Sequence, residues 1–170
     1  AISVIQFKLE GEIIRRRPEF EMDDRMLLHH IDLKRGVVHI DGKDYTLKDT
    51  NWPTLDPKDP YRLSIEEEDL IRKILHSFES SEKMKKHMRC FFRHGGMYQV
   101  CNSNLLFHAS IPMNPDGTFK SVRILGQDYK GRALLDRVDQ LIRTAYFKTG
   151  EQEEVEYAHD YIWYLWGGKD

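Results

Sequence analysis

The chain has 170 residues, 40% of them hydrophobic, with 26 Lys and Arg against 28 Asp and Glu and a formal charge of -2. That length and apolar content suit one domain with its own core, so no internal boundary is drawn. The balanced charge offers no basic field for nucleic acid, no run approaches the roughly 20 apolar residues of a membrane span, and two cysteines, Cys90 and Cys101, argue against a disulfide framework and for a reducing cytoplasm.

Ile2, Ile5, Leu9 and Ile13 form the stripe of an opening amphipathic helix that should end before Pro18. It begins without Met or a capping residue, as a chain cut inside an element would. A short helix is predicted around Asp24 to Ile31. Val37 to Ile40 and Tyr45 to Leu47 then flank Asp41-Gly-Lys-Asp44 as a hairpin. Asp49 to Arg62 carries three prolines and no period, so an extended connector is expected.

Ser64-Ile-Glu-Glu67 has capping-box spacing and opens a helix with the stripe Leu70, Ile71, Ile74, Leu75 and Phe78. A second helix should run from about Glu82 to His94, stopped by Gly95-Gly96. Leu105, Leu106 and Phe107 make a short apolar run of the kind that fills a buried central strand, delivering His108 to its end. Asn114-Pro-Asp-Gly117 reads as a turn and Ser121 to Leu125 as the next strand. Two late helices follow. One has the face Leu134, Leu135, Val138, Leu141, Ile142 and Ala145, the other Val155, Ala158, His159, Ile162 and Trp166. The fold class is α+β, with helices packed around a small sheet.

Three groups of side chains are candidates for chemistry. A strand-end imidazole such as His108 is a metal-ligand candidate, against the plainer reading of a hydrogen-bonded core histidine. Lys130-Gly-Arg132 precedes a predicted helix, where two cations and unpaired N–H groups suit an anion, against ordinary surface charge. His87, Cys90, His94 and Cys101 would make a structural zinc site only at a spacing that matches no recognised zinc pattern, so packing is preferred. His29, His30, His39 and His76 are read as structural. Arg15-Arg-Arg17 lies among acidic neighbours as a solvated helix end, and Glu66 to Asp69 oppose a helix dipole.

The run Asn104-Leu-Leu-Phe-His-Ala-Ser-Ile-Pro-Met-Asn-Pro-Asp-Gly-Thr-Phe-Lys120 resembles the class III fructose-1,6-bisphosphatases of Firmicutes and Bacteroidetes, built on a metallophosphoesterase core. Further blocks agree in order: Gln6 to Gly11, Arg16 to Phe20, Met22 to Arg25, Asp56 to Arg62, Tyr129 to Asp136 and Trp163 to Trp166. Metallophosphoesterases assemble two metals from Asp-x-His, Gly-Asp-x-x-Asp, Gly-Asn-His/Asp and Gly-His blocks with a strand-end His, and only the last is present, as His108. The resemblance therefore implies an internal fragment of a larger α/β enzyme that acts with the remainder of its parent chain. It also implies hydrolysis of the 1-phosphate of fructose 1,6-bisphosphate to fructose 6-phosphate in gluconeogenesis. The sugar bisphosphate would meet Lys130 and Arg132, and a divalent metal, manganese above others, would meet His108. The isolated chain should be inactive, and the competing class is a non-catalytic binding module of mixed fold.

Overall fold

In the computed structural model, which describes residues 2–107 and 110–168, the chain forms two compact units, Ala1–Ser81 with Gly167–Asp170 and Glu82–Trp166. No shift in composition marks this division in the sequence. The architecture is α+β: five α-helices and three small antiparallel sheets among the described residues.

The first unit opens with helix α1 (Ile2–Arg16). It stops just before Arg17, at φ -126° and ψ 64°, because the residue preceding Pro18 is pushed out of helical geometry. The buried side is Val4, Ile5, Lys8, Gly11 and Ile14. Of the predicted stripe, only Ile5 is buried and Ile2 is exposed. The helix expected around Asp24 to Ile31 is instead a pair of 3-10 turns, Asp23–Arg25 and Leu27–His30, neither with a side-chain cap at its start. A first α-turn fixes several dihedrals for one hydrogen bond, and nothing here offsets that cost.

Strands β1 (Ile31–Asp32), β2 (Val37–Ile40) and β3 (Lys43–Thr46) form an antiparallel meander in that order. Asp41 and Gly42 both take positive φ, 49° and 76°, the geometry that a two-residue turn of matching twist demands. The third strand consequently starts at Lys43, two residues before the predicted position. The proline-rich connector carries no regular element, and Tyr61 near its end is almost wholly buried. A Cβ on Gly11 would come within 1.9 Å of the Tyr61 ring, so only glycine lets α1 lie flush against it. The Tyr61 hydroxyl accepts the Leu28 N–H at 2.9 Å, and burial pushes its pKa up despite that donor.

Helix α2 (Ile65–Glu79) opens with the capping box anticipated from Ser64 and Glu67. Its apolar stripe is another matter. Leu70, Ile74, Leu75 and Phe78 are exposed, and the buried residue is Glu67. The Glu67 carboxylate accepts the Lys8 ammonium at 2.7 Å, and that ammonium also donates to the Thr54 carbonyl at 2.6 Å. Burial alone would raise the Glu67 pKa, but Lys8, Thr54 and the Ser64 N–H together hold it below the usual value.

The second unit begins with helix α3 (Glu82–His94). It ends at Gly95-Gly96 as the sequence predicts, and the Arg143 guanidinium donates to the Phe92 and Gly95 carbonyls at 2.7 and 3.1 Å while pairing with Asp139 at 2.6 Å. A cation thus satisfies carbonyls that a helix end leaves open. Strands β4 (Tyr98–Cys101) and β5 (Asn104–Phe107) form one hairpin, β6 (Val122–Ile124) and β7 (Gln127–Tyr129) another. The strand at Gln127–Tyr129 has no counterpart in the sequence reading. Leu105, Leu106 and Phe107 are exposed, which corrects the expectation of a buried central strand: this sheet has only two strands among the described residues.

Helix α4 (Gly131–Phe147) buries the face predicted for it, Leu134, Leu135, Val138, Leu141 and Ala145, with Ile142 at its margin. Helix α5 (Gln152–Gly167) buries Tyr157, Ala158, Asp160 and Tyr161 instead of the predicted stripe, of which only Ala158 is buried and Trp166 is nearly fully exposed.

Candidate functional site

The start of α4 is built by the β6–β7 hairpin, which hands the chain directly into the helix. Tyr129 closes β7, Lys130 follows in extended geometry at φ -145° and ψ 155°, and the helix begins at Gly131. Gly131 takes φ 53°, and a Cβ there would sit 3.0 Å from the Phe119 ring. Both the backbone sign and the close ring require glycine. Lys130 occupies the N-cap position yet gives no side-chain cap, so the first-turn N–H groups have no such acceptor.

Arg132 lies in that first turn with its side chain 82% exposed. Its Nε is 3.6 Å from Asp136 Oδ2, one helical turn on, and its guanidinium sits 5.9 Å from the centre of the Tyr98 ring. Tyr98 in turn donates its hydroxyl to Asp136 Oδ1 at 3.0 Å. The arrangement is a triangle: a carboxylate held by a phenol and facing a guanidinium that rests near the phenol's ring. An arginine so placed keeps N–H donors directed to solvent, the disposition that suits a phosphate. Lys130 is exposed and adds a second cation beside it.

Tyr98 and Asp136 were not singled out in the sequence. The i, i+4 spacing of Arg132 and Asp136 is a readable signal; the Tyr98 contact, 38 residues away, is not. Tyr98 is also the register partner of Phe107, the last described residue before His108. His108 itself lies outside the described residues.

The metal candidates can be tested on the rest. Among the described residues no group of three or more His, Cys, Asp and Glu side chains is placed to hold a metal ion. His87, Cys90, His94 and Cys101 are thus not gathered into a zinc site, and both cysteines are free and exposed. No helix among the described residues is long and apolar enough to cross a membrane. In the first unit an open cleft of about 280 Å³ lies between α1, α2 and the connector, lined by Val4, Ile5, Trp52, Pro53 and Leu70 beside Glu67. Three carboxylates also line it: Glu67 is tied to Lys8, Asp49 accepts the Asn51 N–H and Glu66 accepts the Ser64 hydroxyl, and no candidate residue from the sequence falls there.

Comparison with known proteins gives a consistent result. The profile of the family described as Firmicute fructose-1,6-bisphosphatase matches residues 1–170. A protein of Parabacteroides distasonis named fructose-1,6-bisphosphatase class 3 is 99% identical over the whole chain. Proteins of the same name from Bacteroides fragilis and Clostridioides difficile are 63% identical over the whole chain and 52% identical over 99% of it. The chain spans 26% of the length of each of these relatives. No solved structure matches it.

Proposed function

We propose, from the premise that this chain belongs to the Firmicute fructose-1,6-bisphosphatase family, that it is one segment of a longer hydrolase that removes the 1-phosphate of fructose 1,6-bisphosphate to leave fructose 6-phosphate. The observation that supports this most is similarity running unbroken across all 170 residues. Its setting is gluconeogenesis in the cytoplasm, a reducing compartment in keeping with two free, exposed cysteines.

Within that enzyme, Lys130 and Arg132 hold a phosphate of the sugar bisphosphate. The first-turn N–H groups of α4 add dipolar attraction for the anion, and Arg132 supplies directed donors that Asp136 and Tyr98 keep in place. The segment's part in catalysis is therefore binding and orientation, which favour reaction by holding the phosphoryl group in one geometry.

The family reading brings a divalent metal, with manganese as the ion we favour and His108 as one ligand. The described residues do not fit a metal centre by themselves. The other ligands are assigned to the part of the longer protein outside these 170 residues.

Phosphate release from fructose 1,6-bisphosphate, measured on the full-length protein and on the 170-residue chain, tests the reading. Turnover is expected from the former and little or none from the latter; equal rates from both would place the whole site inside this segment. In the full-length protein, His108→Ala should lower bound metal and turnover with folding retained. Arg132→Ala should raise KM roughly tenfold, the loss of a charge-assisted hydrogen bond, at unchanged metal content. Unaltered KM in both Lys130→Ala and Arg132→Ala would make these residues surface charge.

A further inference from the structure

Helix α3 carries five Lys and Arg against one acid, a local charge of +4 with its histidines neutral, in a chain whose total is -2. Its apolar side is already taken: Phe92 is buried and meets the Tyr146 ring of α4 at 4.5 Å, with Met88 half-buried one turn earlier. The other side is a row of cations. Lys83, Lys86, Arg89 and Arg93 follow one another at i+3 and i+4 spacing, which places them along one flank, and all four are exposed. Ten residues at the helical rise make that row about 15 Å long. Glu82, the single acid of the helix, is held by Lys85 at 2.8 Å, and no described carboxylate pairs with any of the four.

Elsewhere the guanidinium groups find acids: Arg15, Arg35, Arg72, Arg137 and Arg143 each stand within 2.9 Å of a carboxylate oxygen. Four unpaired cations are costly to remove from water, so this face, unlike an apolar one, gains nothing from cover by other segments of the longer protein. Beside it stand two exposed rings. Phe91 and Phe147 are 61 and 50% exposed, and each rests against Phe92, at 5.7 and 5.3 Å between ring centres. Lys and Arg with neighbouring aromatic rings are what a helix lying on a headgroup layer presents to it.

We propose that α3 is a peripheral docking face for an anionic phospholipid surface. Each Lys or Arg near such a surface raises affinity about fivefold, and a cluster of this size on one helix is enough for recognition. Phe91 and Phe147 enter the headgroup region, which covers rings that water does not. An acidic polypeptide would satisfy the charges but leave both rings uncovered, and the near-neutral chain lacks the wider basic field that a nucleic acid takes. The lipid accommodates both features. Attachment of this kind is to the membrane surface only, in keeping with described helices too short or too polar to cross a bilayer, and it is independent of the reaction assigned to the longer enzyme.

The test sediments the full-length protein with vesicles of phosphatidylcholine alone and of phosphatidylcholine with about one third phosphatidylglycerol. Binding is expected to the anionic vesicles and not to the neutral ones, and it should weaken as added salt shortens the Debye length. Lys86→Gln with Arg93→Gln should lower the affinity about 25-fold, whereas Lys43→Gln with Lys48→Gln, the same change of charge at exposed positions of the first unit, should lower it less than about threefold. Both pairs should keep the melting temperature and turnover of the unaltered protein. Phe91→Ala should weaken binding as well, most visibly at high salt where charge is screened. Equal affinity for the two kinds of vesicle, binding to neither, equal losses in the two paired variants, or unchanged binding by Phe91→Ala at high salt would each overturn the proposal. Tighter binding of polyglutamate or single-stranded RNA than of the anionic vesicles, lost on the Lys86 and Arg93 substitutions, would also overturn it in favour of that partner.

Discussion

Helices α2 and α4 carry apolar stripes of similar quality in the sequence, yet one stripe faces water and the other is buried. In α4, Leu134, Leu135, Val138, Leu141 and Ala145 are covered. In α2, Leu70, Ile74, Leu75 and Phe78 are exposed, and the contact that secures the helix is polar, Glu67 against Lys8 and its own Ser64 cap. Periodicity states which side of a helix is suited to burial. It does not state whether the covering surface is present within the same stretch of chain.

The largest effect that should follow from this contrast comes from the polar anchor. Lys8 is fully buried, and Lys8→Met leaves the Glu67 carboxylate buried without its cation, a loss of about 3–5 kcal/mol. Urea unfolding of the 170-residue chain measures it, and a change under about 1 kcal/mol would show that α2 is held by something else. The double variant Lys8→Met with Glu67→Leu should recover most of the loss, since removing both partners removes the uncompensated charge.

Leu141→Ala should cost about 2–5 kcal/mol, because a wholly buried leucine leaves a cavity as well as lost transfer energy. Leu75→Ala, at the corresponding kind of position on α2 but 55% exposed, should stay within about 0.5 kcal/mol. Equal losses at the two positions would erase the distinction between the helices.

Acid should act on α2 through Glu67. Its folded pKa lies below the ordinary 4.5, so the stabilisation it gives is complete above that value and fades as pH falls through the lowered folded pKa. The stability difference between the unaltered chain and Glu67→Gln should therefore shrink below about pH 4.5 and be constant above it. A difference that grew on acidification would reverse the sign of the argument. A modest loss is expected from Ser64→Ala, about 1 kcal/mol for the cap that receives the Glu67 N–H at 3.3 Å.

Much of the element plan is legible in the chain itself because its causes are local. Pro18 ends α1, Ser64 and Glu67 open α2, Gly95-Gly96 end α3, and Asp41-Gly42 turn the first hairpin. Where local signals are weak, the structure departs from the pattern. Leu125 at φ 47° and Gly126 at φ 80° turn the β6–β7 hairpin, and a bulky residue in that conformation is not one a sequence would nominate. In the candidate site, Lys130, Gly131 and Arg132 were picked out from their position before a helix; Asp136 was not, although its i, i+4 spacing from Arg132 is a readable signal. Tyr98 was not.

The sequence alone determined the α+β class, most helix borders and the family, since each follows from residues within a turn or two, or from ordered blocks along the whole chain. Tertiary structure decided which faces are buried. It put Lys8 rather than Leu9 inside α1, turned Tyr157 and Tyr161 of α5 inward and left Trp166 outside. It also joined Lys8 to Glu67 across 59 residues and Tyr98 to Asp136 across 38. The reason is physical: a helix or turn is settled by neighbours a few positions away, whereas burial and ion pairing depend on which distant segment arrives alongside.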